Sequence, residues 1–474
     1  MTNQNVLSQR YTTKQINEIF SQKGKILAFR ELWISVMKAQ KKLGIDIPSE
    51  DIEKYESSKN DINLEEIEEI EKKTKHDIKA NIESFVKTAN APEHIHKGMT
   101  SRDLTDNVEQ MQILKSSKII LGKSISVLKH MLDKANEYDH IILTARTHHQ
   151  PAQATLLGRR FSMWAEELYF HIKDFENFIE KYPLRGIKGP VGTQIDMIKI
   201  LGSEEKTIEF EKIVATQLGF KETLKSTGQV YPRSFDLSLI SKLVAITSAC
   251  ENFANSMRLM AGYDLVTEGF KEGQVGSSAM PHKMNTRSSE RINGFAAILK
   301  GHLTMSANLS GNQWEEGDVS CSVTRRIAIP DAFYTIDGLL ETTLTILNEM
   351  GPYETVISKE VDKYLPFLAT TQILMLAIQK GIGREQAHEI IKKHAINEAL
   401  NMRQGKEPQL AENLGNEEIL NKVGITKQVI EEILSDKNKF IGKAKKQIQE
   451  VCEITNELLE KYSKEAKYEP ETIL

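Results

Sequence analysis

Residues 105–132 read TDNVEQMQILKSSKIILGKSISVLKHML. Within them Met111, Leu114, Leu121, Ile125, Leu128 and Leu132 recur three and four residues apart, with Lys118 at the one missing place. That period lines apolar side chains along one side of a helix, so a single long amphipathic helix is predicted after Thr105-Asp106. A second stripe, Ile336, Leu339, Thr343, Leu344, Leu347 and Met350, follows Pro330 and stops at Gly351-Pro352, where glycine and then proline end a helix. Each stripe needs an apolar partner to cover it. Two such helices imply a bundle, and the fold class is all-α: three helical domains around a central bundle of long helices.

Working outward, the stretches Pro183 to Gly192 and Gly273 to Thr286, rich in Gly, Pro and Ser, break the helical pattern and read as loops large enough to carry chemistry. After Tyr364-Leu365-Pro366 the composition turns to Lys and Glu with shorter amphipathic pieces, Ala387 to Ala395 and Gln428 to Leu434. The predicted division is an N-terminal helical domain over 1–107, the central bundle over 108–366 and a C-terminal helical domain over 367–474. The acidic tract Glu65-Glu66-Ile67-Glu68-Glu69 reads as a solvated helix face. No repeat or low-complexity segment stands out.

The 474 residues, 40% of them hydrophobic, suffice for a large core or several smaller ones. Lys and Arg number 62 against 66 Asp and Glu, and the formal charge of −4 gives no electrostatic reason to expect nucleic acid. Cys250, Cys321 and Cys452 are odd in number and far apart, which fits a reducing compartment. The polar start, Met-Thr-Asn-Gln-Asn, is unlike a secretory signal, and no apolar run approaches the roughly 20 residues that span a bilayer. The expectation is a cytoplasmic protein with no membrane partner.

The most specific string is Gly276-Ser277-Ser278-Ala279-Met280-Pro281-His282-Lys283-Met284-Asn285. Taken alone it reads as a flexible surface loop, but two hydroxyls, an imidazole, an ammonium and an amide within nine residues exceed what a passive linker needs. The string resembles the signature loop of the fumarase, aspartase and argininosuccinate lyase superfamily, departing from it where Thr286 follows Asn285 in place of proline. Members share a fumarase/aspartase-like helical bundle and eliminate fumarate from substrates that carry a succinyl-type group.

Such an elimination takes a weakly acidic proton from the carbon beside a carboxylate and leaves a dianionic aci-carboxylate. Cations and oriented amides must stabilise that charge as it develops. Lys283 and Asn285 suit the task, and the resemblance implies Ser277 as the base, its proton displaced by a positive, closed site. The departing nitrogen needs an acid. His148 and His149 alone read as a pair of histidines near a helix start, but Thr147-His148-His149-Gln150-Pro151-Ala152 resembles the family's T-H-x-Q-x-A element, which implies His148 as proton donor. Thr100 and Ser101, in His96-Lys97-Gly98-Met99-Thr100-Ser101-Arg102-Asp103, cap the long helix and also match the G-x-T-S-x-D element that binds a succinyl carboxylate.

Further matches narrow the resemblance to the branch acting on succinylated purine nucleotides. Arg10-Tyr11, Lys75-His76-Asp77 and Gly228-Gln229-Val230-Tyr231-Pro232-Arg233 resemble its nucleotide-binding elements, and arginine is the natural partner of a phosphate. Carried over, Gln229, Arg291, Ser322 and Arg326 contact substrate, and Glu290 supports His148 or the signature loop. Neither His76 nor His96 is assigned between binding and proton transfer. Many relatives have an arginine where Gly317 stands, and Arg325 or Lys75 are the candidates to compensate. The resemblance runs from Arg10 to about Ala395, with Tyr468 to Leu474 like a familiar tail. It implies cleavage of both adenylosuccinate and succinylaminoimidazole carboxamide ribotide, no cofactor or metal, and a homotetramer whose active sites are shared between subunits.

The alternatives are argininosuccinate lyase or aspartase activity, against which Arg10-Tyr11 and Lys75-His76-Asp77 speak, and a non-catalytic structural protein on the same fold, against which the pair His148 and Ser277 speaks. A metal hydrolase using His94, His96, His148 and His149 lacks the H-E-x-x-H spacing of helical zinc sites.

Overall fold

In the computed structural model the described residues are 5–269, 280 and 283–473. Five long helices form the centre: α1 (Ser101–Glu137), α2 (Leu157–Lys181), α3 (Ser234–Ala261), α4 (Arg287–Leu309) and α5 (Ser322–Glu349). They close a ring in which α1 packs on α2, α2 on α3, α3 on α4, α4 on α5 and α5 on α1. The stripe that predicts α1 understates its burial. Val108, Ile113, Ile120, Val127 and Met131 are buried as well, together with Ser116, Ser117, Gly122 and Ser124, because α1 is surrounded on most sides and its small residues admit close neighbours. Each buried Leu or Ile contributes about 1.5–3 kcal/mol.

The second stripe is buried throughout, yet its helix does not begin after Pro330. It starts at Ser322 and carries Pro330 inside; the missing N–H deprives only the Arg326 carbonyl of a bond, and packing on α1 and α4 outweighs that loss. A second departure is the antiparallel hairpin of β1 (Ile142–Thr147) and β2 (Gln150–Leu156), which the all-helical reading omits. A further two-residue pair joins β3 (Val266–Thr267) to β4 (Gly351–Pro352).

Helix Gln22–Lys42 packs on α1 and carries Trp33 and Phe29 into the main core. A separate apolar core gathers Ile373, Ala387, Leu410, Leu414, Leu420 and Ile430, while helix Ala444–Lys461 packs back onto α1 and α2. At the centre, the buried Lys123 ammonium lies 2.5 Å from Asp337 and 2.8 Å from Glu341. Asp337 also accepts from the Thr13 N–H at 2.6 Å, and Glu341 from the Tyr468 hydroxyl at 2.7 Å and the Glu471 N–H at 2.6 Å. No helix among the described residues is long and apolar enough to cross a membrane.

Candidate active site

The start of α1 organises two loops. Asp103 Oδ2 accepts from the Thr100 N–H at 2.8 Å, which caps the helix. Its Oδ1 accepts from Arg185 Nη1 at 2.6 Å and from the N–H groups of Lys188 and Gly189 at 2.8 and 3.0 Å. One turn on, Asn107 exchanges two bonds with the Gly186 backbone, both at 2.9 Å, and Gln110 accepts from the Arg185 N–H and donates to the Pro183 carbonyl. Positions 103, 107 and 110 share one face, so the loop 183–192 is pinned along α1. Asp106 holds a second loop by accepting from the Tyr231 N–H at 3.0 Å and from Arg233 Nη2 at 3.1 Å. Thr100 and Ser101 thus stand at a helix end ringed by two fixed loops. The Asp103 N–H bonds the Thr100 carbonyl at 2.9 Å, which leaves the amides of Ser101 and Arg102 without an intrahelical acceptor, and the dipole favours an anion there.

His96 lies just before, with a left-handed φ of 63°. Trp33 Nε1 donates to its Nδ1 at 3.2 Å, and burial holds its pKa below the usual value against the opposing pull of Asp103. The ring is therefore neutral, with its proton on Nε2. His76 caps the helix Asp77–Ala89, its Nδ1 accepting from the Lys79 N–H at 3.2 Å, and it is an electrostatic neighbour of His96. Lys75 is exposed beside it, and Asp77 half-buried.

Arg102 draws α5 to this end by donating to Ser322 Oγ at 3.0 Å while pairing with Asp106. Arg326, one turn along, is exposed. Arg325 is not free to replace the arginine absent at 317: it is buried and bound to Asp236, Glu109 and the Tyr231 hydroxyl. Of the two candidates Lys75 alone is open to solvent. Gly317 has φ 141°, and a Cβ there would lie 3.0 Å from Val230 Cγ2. The next bond in this contact runs from the Gln229 N–H to the Glu316 carbonyl at 2.7 Å. Glycine at 317 lets the loops around Gln229 and Glu316 touch.

His148 and His149 are not near a helix start. They form the two-residue tip of the β1–β2 hairpin, with φ 50° and 61°. Such a turn needs positive φ at both places and normally takes Asn-Gly; a side chain in that region costs of order 1 kcal/mol or more. His149 is held: the Tyr263 hydroxyl meets its Nε2 at 3.3 Å, and Arg146 Nη1 donates to its carbonyl at 3.3 Å. A register shift between Ala145 and Arg146 re-aims the arginine, which lies 4.5 Å from the Tyr263 ring and pairs with Glu360. Behind it, burial lowers the Arg160 pKa to about 10, with Glu360 opposing. His148 is exposed.

Tyr11 ends the first short helix with Arg291 5.8 Å from its ring and Phe295 edge-on at 5.3 Å; Arg10 is exposed next to it. Ser277, Ser278 and His282 lie outside the described residues. Lys283 is exposed, its N–H donating to the Met280 carbonyl at 3.0 Å, Asn285 is half-buried and Glu290 exposed. The carboxylate that grips this part of the chain is Glu268, which accepts from the N–H groups of Ser288 and Ser289 at 2.8 and 3.0 Å.

Within one chain, then, His96, Thr100, Ser101, Gln229 and Ser322 gather at the start of α1, with His76 within electrostatic reach. Tyr11 and Arg291 form a second group and His148 stands on the hairpin tip. Among the described residues no hydrogen bond or ion pair joins the tip to the α1 group. Sequence reasoning missed Trp33, Tyr263, Glu268 and Glu360; each acts on a partner distant in the chain, so no local pattern marks it. Three of the four imidazoles of the metal-hydrolase alternative have other partners: His94 pairs with Asp51, His96 with Trp33 and His149 with Tyr263.

The family described as "Lyase" matches residues 7–301, and "Adenylosuccinate lyase C-terminus" matches residues 366–451. The adenylosuccinate lyase of Saccharomyces cerevisiae is 31% identical over 467 residues, 97% of this chain and 96% of that one. The chain belongs to the adenylosuccinate lyase family. A second member, from Schistosoma mansoni, is 31% identical over 87% of each chain. A solved fumarate lyase from Mesorhizobium superposes with a TM-score of 0.78 at 18% identity, covering 94% of this chain and 98% of that one, so the fold of this adenylosuccinate lyase family member is of the all-α fumarase/aspartase type. The matches favour this family over the argininosuccinate lyase and aspartase alternatives.

Proposed function

We propose that the protein eliminates fumarate from adenylosuccinate, giving AMP, and from succinylaminoimidazole carboxamide ribotide, by general acid–base catalysis in the cytoplasm and without a cofactor. The observation that carries this reading is the family membership of the whole chain together with the anion-ready start of α1, where Thr100 and Ser101 stand at the helix end that anchors the two loops and a neutral His96 carries its proton on Nε2. Thr100, Ser101, Lys283 and Asn285 hold the succinyl carboxylates. His148 protonates the departing nitrogen and Ser277 takes the carbon-bound proton, with the charge that develops stabilised by Lys283 and the helix end. Arg10, Tyr11, Lys75, His76, Asp77, Gln229, Arg291, Ser322 and Arg326 bind the nucleotide part, and Glu290 supports the acid or the loop.

In one chain these groups lie apart, and α2 to α5 expose Met163, Phe170, Leu259, Ile298, Met305, Val323 and Ile327 along the bundle. This supports a homotetramer in which subunits pool their groups into shared sites. An ultraviolet assay of purified protein on adenylosuccinate tests the activity, with turnover lost in both His148→Ala and Ser277→Ala. Mixing the two inactive variants tests the sharing: activity returns if the acid and the base of one site come from different subunits, and mixtures that stay inert refute it.

A further inference from the structure

The hairpin tip is strained at two adjacent residues, and the contacts that hold it are unevenly placed. All of them fall on His149: its carbonyl accepts from Arg146 Nη1 at 3.3 Å, and its Nε2 meets the Tyr263 hydroxyl at 3.3 Å with ring centroids 5.5 Å apart. Among the described residues no hydrogen bond, ion pair or ring contact falls on His148. Arg146 is itself fixed, with its second nitrogen on Glu360 and its guanidinium carbon 4.5 Å from the centre of the Tyr263 ring and 5.8 Å from that of Tyr364. A left-handed pair of histidines persists only when its surroundings over-determine it. This frame grips one residue of the turn and leaves the neighbouring ring unencumbered.

We propose that Arg146 is a positioning residue for His148, acting through the frame it forms with Tyr263 and Glu360; the proposal rests on the reading of His148 as the proton donor. The guanidinium fork reaches Glu360 with one nitrogen and the His149 carbonyl with another, so it ties the turn to the body of the protein. Misplacing a general acid by about 1 Å is enough for a 100-fold loss of rate.

Steady-state kinetics on adenylosuccinate tests this. Arg146→Ala is expected to lower kcat at least about tenfold with KM changed less than about twofold, the folded fraction being matched by circular dichroism. Arg146→Lys keeps the charge but not the fork and recovers only part of the loss. Tyr263→Phe keeps the ring beneath the guanidinium, removes only the hydroxyl on His149, and lowers kcat in the same sense; it decides the question if Arg146→Ala fails to fold. The basic limb of the kcat–pH profile, which reports the general acid in the bound complex, shifts in Arg146→Ala and returns part of the way in Arg146→Lys, which a merely structural role would not produce. Unchanged kcat in Arg146→Ala and Tyr263→Phe, or a loss carried by KM, overturns the frame. Full activity in His148→Ala overturns instead the reading on which it rests.

Discussion

At the scale of single residues, the proposed proton donor and two other histidines of the candidate site sit where the backbone is least comfortable. His96, His148 and His149 all have positive φ, a region that β-branched side chains scarcely enter. His149→Val is therefore expected to destabilise the hairpin and lower activity more than His149→Gly, since glycine loses the Tyr263 contact but accepts the turn; thermal denaturation and turnover of the two variants check the order. Sequence reading singled out His148 as the candidate proton donor through its neighbours Thr147 and Gln150 but placed the pair near a helix start, because His-His carries none of the Asn-Gly signal that marks a two-residue turn. It named Arg325 as a spare cation, and no local pattern announces that Asp236, Glu109 and Tyr231 already hold it.

At the scale of elements, α1 acts as a post to which loops are tied. The acidic and amide side chains of its first three turns accept from and donate to backbone groups of the loops, so the helix shapes the site as well as supporting the core. Asp103→Asn leaves the buried Arg185 without its carboxylate. It is expected to cost about 3–5 kcal/mol, seen as a lower urea midpoint, and to raise KM as the loop 183–192 loosens. The long helices were legible because a 3.6-residue period survives in any environment. The loop anchors were not, since Asn107 and Gln110 look like ordinary polar helix residues until their partners 79 and 73 positions away are known.

Two consequences belong to the whole molecule. His96 and His302 are both held neutral by burial, their pKa values pushed below the usual 6.5. As pH falls below about 6.5, the unfolded chain takes up protons that the folded chain refuses, so stability declines toward the depressed folded values and is recovered above 6.5. His302→Leu removes one of these groups and is expected to flatten the acid side of a melting-temperature profile; an unchanged slope would count against the assignment. Lys123→Met leaves Asp337 and Glu341 buried without their cation, and a loss of about 3–5 kcal/mol is expected in denaturant titrations.

The same buried ammonium constrains the order of assembly. The Thr13 N–H finds its acceptor on Asp337, 324 positions later, and Glu341 in turn takes the Tyr468 hydroxyl. During synthesis from the ribosome the segment around Thr13 emerges early and can pack on α1, yet its acceptor on Asp337 does not exist until α5 has been made and has joined α1. Arg10 and Tyr11, proposed to bind substrate, lie close before Thr13 in the chain. A nascent chain that has not yet reached α5 therefore lacks this anchor, and the tie closes only after residue 337 has been added.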